Sequence, residues 1–179
     1  IEHQVIKWFA DLLGFPEDSS GILVSGGTMA NLNALAVARN ECAGFDVRAK
    51  GLAGGPPLTV YGSTQTHNWI IKACELMGMG RDAFRVVPCN DDYTINADAC
   101  RDMIRRDITD GFKPFCILGT VGTVNTGAID DIATLRRLAD EFGLWLHVDG
   151  AFGSLAALAP DARALVADQA SADSIAFDL

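Results

Sequence analysis

Positive charge is scarce in this chain: 14 Lys and Arg stand against 23 Asp and Glu, a formal net charge of -9. Such a surface repels phosphate backbones and anionic headgroups, which argues against nucleic acid or an anionic membrane as a partner. Long hydrophobic runs are absent too. Hydrophobic residues make up 49% of the sequence, yet they never reach the roughly 18 in succession that a membrane-spanning helix needs. The N-terminus shows no basic stretch followed by an apolar one, so no signal peptide is expected. Cysteines number five, Cys42, Cys74, Cys89, Cys100 and Cys116, and no two form a C-x-x-C pair. An odd, unpaired set reads as reduced, mostly structural thiols and a cytoplasmic location. There is no internal repeat and no low-complexity tract. What remains is ordinary globular composition, 21% charged over 179 residues, enough for one domain with a substantial core.

Within that frame, apolar runs alternate with helical periodicity. Val5, Phe9, Leu12 and Leu13 share one face of an opening helix that Gly14 and Pro16 end. Ile22 to Val24 is a short apolar run leading to a helix that continues through Leu32, Leu35, Ala36 and Ala38 to about Asn40. Strands are expected at Leu58 to Gly62, Phe84 to Val87, Phe115 to Gly119, 144–148 and Ser174 to Phe177, with a glycine- and proline-rich loop at Lys50 to Pro57. Helices are expected from Asn68 to Met77, from Asn96 or Asp98 to Thr109, and from Asp130 or Asp131 through Phe142, the polar residues serving as caps. Strands alternating with helices imply βαβ units, hence an α/β fold with a mostly parallel sheet covered by helices on both faces.

Chemistry-bearing residues gather where strands should end. Ser25-Gly-Gly-Thr28 lies between an apolar run and a helix start. Its glycines free several backbone N–H groups, and the helix terminus adds positive potential, so Gly27 and Thr28 suit a phosphate. No Gly-Lys-Thr follows and the third glycine of a dinucleotide fingerprint is missing; a tight turn with a capping threonine is the plain alternative. His67 follows a strand and opens a helix, placed to stack on a ring, to move a proton, or merely to bond nearby backbone. The segment from Gly119 to Gly127 offers Thr120, Thr123, Asn125 and Thr126 as hydrogen-bonding groups, or is a flexible loop. Leu144-Trp-Leu-His-Val-Asp-Gly-Ala-Phe-Gly153 is the most informative stretch. An apolar strand delivers one carboxylate, Asp149, and Gly150, Ala151 and Gly153 leave room beside it, which fits a flat cationic partner as well as a turn. His147 shares a strand face with Asp149 and is expected to pack behind it.

Taken in order, Val24-Ser-Gly-Gly-Thr-Met-Ala-Asn31, Thr66-His-Asn68, Gly122-Thr-Val-Asn-Thr-Gly-Ala-Ile-Asp130, Trp145-Leu-His-Val-Asp-Gly-Ala-Phe152 and Ala172-Asp-Ser-Ile-Ala-Phe-Asp178 resemble the group II amino-acid decarboxylases, the fold-type I pyridoxal-phosphate enzymes that include aromatic-L-amino-acid and glutamate decarboxylases. The resemblance implies a fold-type I large domain, partial over 1–179, with pyridoxal 5'-phosphate as cofactor and an L-amino acid, aromatic by preference, as substrate. Gly27 and Thr28 would then hold the phosphate, and His67 would stack on the ring. Asp149 would pair with the ring nitrogen, and Ala151 would pack on the opposite face. Thr123 would make a polar contact, although Val124 stands where many relatives carry a second Thr. Asp178 would approach the phosphate region. His67 and Asp149 are the candidate catalytic residues. It further implies a homodimer and a Schiff-base lysine two residues past Leu179, with N-terminal segment and C-terminal small domain outside this stretch, so the 179 residues alone are expected to be inactive. Another pyridoxal-phosphate lyase or an aminotransferase, or a non-catalytic domain that binds a phosphate ligand or a protein, are the competing readings.

Overall fold

A computed structural model describes residues 1–179. Its five strands are β1 (Leu58–Ser63), β2 (Phe84–Val87), β3 (Lys113–Thr120), β4 (Trp145–Asp149) and β5 (Ser174–Ala176). They pair in the order β2-β1-β3-β4-β5, every pairing parallel. Parallel strands covered on both faces are apolar throughout rather than alternating, and β3, Lys-Pro-Phe-Cys-Ile-Leu-Gly-Thr, is buried at every position after its first. No helix is long and apolar enough to cross a membrane.

Six helices are α1 (Glu2–Leu13), α2 (Gly27–Cys42), the single turn α3 (Val47–Lys50), α4 (Trp69–Leu76), α5 (Ala97–Thr109) and α6 (Ile132–Phe142). Their ends follow local chemistry. The Asn96 side chain accepts the Ala99 N–H at 2.8 Å and starts α5; the Asp131 carboxylate accepts the Thr134 N–H at 2.9 Å and starts α6. Gly14 and Gly143 end α1 and α6 at φ of 79° and 64°, a left-handed conformation that costs glycine little.

The sheet separates two cores. On one side, Tyr61, Ile117, Leu146 and Val148 pack against Ile104 of α5 and Leu135 and Leu138 of α6. On the other, Val60, Phe115 and Leu118 pack against Leu35 and Ala38 of α2 and Trp69, Ile70 and Ala73 of α4. Each fully buried aliphatic side chain contributes about 1.5–3 kcal/mol. The apolar run Ile22–Val24 forms no regular element and is exposed. Asp130 does not cap α6; its carboxylate is buried and turned to the backbone of β3 and of residue 95. Three 3-10 segments, Arg81–Ala83, Ser154–Leu158 and Arg163–Ser171, carry connections that periodicity did not describe.

The chain runs outward from β1 to β2, then returns to the other side of β1 with β3. At such a reversal the flanking connections leave in opposite directions and open a crevice beyond the strands' carboxyl ends. Thr120, Asp149 and Ala176 lie side by side in register at that edge.

Candidate active-site cleft

A cleft of about 290 Å³ opens there. Gly27, Thr28 and Asn31 line it from the start of α2; Gln65, His67 and Trp69 come from the connection between β1 and α4 and from that helix's first residue. Thr120, Gly122 and Val124 follow β3, Asp149, Ala151 and Phe152 follow β4, and Asp178 follows β5. Of the residues singled out from sequence, Gly27, Thr28, His67, Asp149, Ala151 and Asp178 therefore meet in one place. Thr123 does not line the cleft. It is buried, its hydroxyl pairs with that of Thr126 at 2.6 Å and accepts the Ala128 N–H at 3.1 Å, so the loop satisfies itself. Among the hydroxyl and amide residues of that loop, Thr120 alone faces the cleft.

Asp149 is only 7% exposed. Its Oδ2 accepts the Trp69 indole N–H at 2.6 Å, and its Oδ1 accepts the Ala151 N–H at 3.3 Å. A carboxylate has about four lone-pair sites, so two bonds leave acceptor capacity for a cation in the cleft. His67 is exposed, and its Nδ1 accepts the Trp69 main-chain N–H at 3.3 Å.

Behind this front lies a directed relay. Trp145 Nε1–H donates to Ser174 Oγ at 2.8 Å, and Ser174 Oγ meets His147 Nδ1 at 2.8 Å. His147 Nε2 meets Asn31 Oδ1 at 2.7 Å, and Asn31 Nδ2 donates to the Gly27 carbonyl at 2.8 Å. Asn31 offers its oxygen to the ring, so the proton belongs on Nε2 and Nδ1 accepts from the serine. Burial pushes the His147 pKa down to about 4, against the pull of the neighbouring Asp149 charge, so the imidazole is neutral at pH 7. The relay fixes the first turn of α2 against β4. Asn31 and Trp69 were missed from sequence; the only available signals were their spacing, one helical turn after Gly27 and two residues after His67.

Asp130 plays a comparable part for β3. Its oxygens accept the Ile95 and Thr120 N–H groups, each at 2.7 Å, and burial raises its pKa to about 6 although those two bonds oppose the shift.

The cleft fits a flat, phosphorylated heteroaromatic ring. α2 opens without a side-chain cap, and its first main-chain N–H with an acceptor inside the chain is that of Met29. The N–H groups of Gly27 and Thr28 are thus free for an anion, with the helix dipole behind them. A Cβ on residue 27 would lie 3.1 Å from Asp178 Oδ1 and 3.4 Å from the Ala151 Cβ; glycine there keeps the floor clear. Thr120 Oγ1 and Gln65 Oε1 are buried without a partner in the chain, and both residues line the cleft.

Comparison with known proteins agrees with this geometry. Residues 1–178 match the pyridoxal-dependent decarboxylase conserved domain. The chain is 35% identical over 178 residues to the aromatic-L-amino-acid decarboxylase of Bacillus atrophaeus, covering 99% of this chain and 35% of that relative. Mouse CSAD in apo form superposes with a TM-score of 0.95 at 30% identity, over 99% of this chain and 37% of that one. Oryza sativa TDC with PLP superposes with a TM-score of 0.86 at 27% identity, over 99% and 40%. The chain thus spans little more than a third of the length of these proteins. A match along essentially its whole extent, on a fold whose strand exits present a buried carboxylate opposite an uncapped helix, shows that the chain belongs to the pyridoxal-dependent decarboxylase family and that its cofactor is pyridoxal 5'-phosphate.

Proposed function

We propose that the full-length protein removes the carboxylate of an L-amino acid, aromatic by preference, as CO₂. The observation that carries this reading is the buried Asp149 carboxylate, which faces the same cleft as His67 and the free N-terminus of α2. When bound, the cofactor supplies a protonated pyridine ring that accepts the electron pair left by the departing carboxyl group. The chain's own residues make that possible. Asp149 keeps the proton on the ring nitrogen, because a neutral nitrogen beside a buried anion is the costlier arrangement. Gly27 and Thr28 take the phosphate. His67 stacks on one ring face and Ala151 packs on the other. Asp178 lines the cleft beside Gly27 and bounds the phosphate subsite.

The preference for aromatic substrates rests on relatives such as the Bacillus atrophaeus enzyme. None of the four lysines, Lys7, Lys50, Lys72 and Lys113, lines the cleft. We therefore place the cofactor-linking amine in the segment following Leu179, and expect residues 1–179 alone not to turn substrate over. Exposed Ile22, Leu23, Val24 and Met29 lead into and open α2, and we assign this surface to a second subunit.

The test extends the chain through its downstream segment and partner domains. CO₂ release is then measured with L-tryptophan, L-tyrosine and L-glutamate. Release from an aromatic substrate, lost in Asp149→Ala while the far-ultraviolet circular dichroism is retained, is the expected result. Amino transfer without CO₂ would move the protein to another branch of pyridoxal-phosphate chemistry, and full turnover by Asp149→Ala would remove the central role given to that carboxylate.

A further inference from the structure

We propose that Trp69 is a positioning residue for the cofactor: its indole N–H fixes the orientation in which Asp149 meets the ring nitrogen. The inference rests on the cleft being the pyridoxal-phosphate site. Trp69 is the sole side-chain donor to Asp149, at 2.6 Å and across 80 residues of sequence. The other bond to that carboxylate, from the Ala151 N–H, is 3.3 Å long. A short bond to a charged acceptor is about twice as strong as a neutral one, so the indole is the main restraint on the carboxylate's rotation.

The indole is itself immobile. Trp69 is 1% exposed, packed in the core between α2, α4 and the sheet. Its ring meets His147 edge-on, with centroids 6.0 Å apart and planes at 89°. An indole N–H donates only and never titrates, so the restraint is present at every pH at which the chain is folded. The same residue also reaches the other ring-facing group, since its main-chain N–H donates to His67 Nδ1 at 3.3 Å. Trp69 therefore ties the two cofactor-facing side chains, one from the β1–α4 connection and one from β4, to a single rigid point.

A purely space-filling tryptophan would act on any ligand of the cleft alike; a positioning one acts through the ring nitrogen. The protein extended through its downstream segment and partner domains is prepared in three forms: wild type, Trp69→Phe, and a form in which residue 69 is 3-benzothienylalanine, which keeps the shape of the indole and lacks its N–H. Calorimetric affinities are measured for pyridoxal 5'-phosphate and for its 1-deaza analogue, in which carbon replaces the ring nitrogen. Both altered forms are expected to lose about tenfold or more in affinity for pyridoxal 5'-phosphate, the size of one hydrogen bond to a charged group, and little for the analogue. Equal losses for the two ligands, or wild-type affinity for both in the benzothienyl form, overturn the proposal. An extended wild type that binds neither ligand overturns the reading of the cleft itself, and does so before any substitution is compared.

Discussion

Burial acts on His147 and Asp130 with opposite signs. The His147 pKa falls from its ordinary 6.5 to about 4, so between those values the unfolded chain binds a proton that the folded one refuses, and stability is lost as pH drops. The Asp130 pKa rises from 3.8 to about 6, so across that window the folded chain holds the extra proton, and stability is lost as pH rises. From pH 4 to 6 the two contributions offset each other. Urea denaturation should show a shallow dependence in the wild type. His147→Gln should make stability fall toward pH 6, and Asp130→Asn should make it fall toward pH 4, each by up to about 1.4 kcal/mol per pH unit. A wild type whose stability drops steeply across that window would show that one of the two groups titrates normally. At this scale, the sequence displayed residues beside a break in pattern: Gly27, Thr28, His67 and Asp149 each stand where an apolar run gives way to a helix or turn. It hid Asn31 and Trp69, whose partners lie 116 and 80 residues away. A mid-helix asparagine and a helix-start tryptophan carry no local sign of such partners.

Among the elements, α2 bears most directly on binding. Gly27→Ala should raise intrinsic helix stability by up to about 1 kcal/mol, while its methyl group meets Asp178 Oδ1 and Ala151 at 3.1 and 3.4 Å. The expected outcome is an unchanged or higher melting temperature with about tenfold weaker cofactor binding, a loss of ~1.4 kcal/mol. Equal affinity would mean that the floor of the cleft yields without cost. Element limits were largely legible, since capping chemistry is local: Asn96 and Gly143 act where their types suggest. The choice between Asp130 and Asp131 was not, because both precede α6 and only the distant Ile95 and Thr120 N–H groups distinguish them.

For the whole molecule, β3 carries both cores. Ile117 faces α5 and α6 while Leu118 faces α2 and α4. Ile117→Ala and Leu118→Ala should each cost about 2–5 kcal/mol, and both variants should unfold in a single transition with circular dichroism and tryptophan fluorescence coincident. Separate transitions in either variant would show that the two faces melt independently. Alternating strands and helices made the parallel, doubly covered sheet readable, but not the order β2-β1-β3-β4-β5, which depends on crossovers that no single segment encodes. The approach of Asp178 to Gly27 has a further consequence. The anion-receiving turn precedes all five strands and the residue that walls it follows them. On the ribosome, therefore, the cradle stays unwalled until β5 has been made and docked against β4, so the early turn alone cannot enclose an anion while the other strands are still emerging.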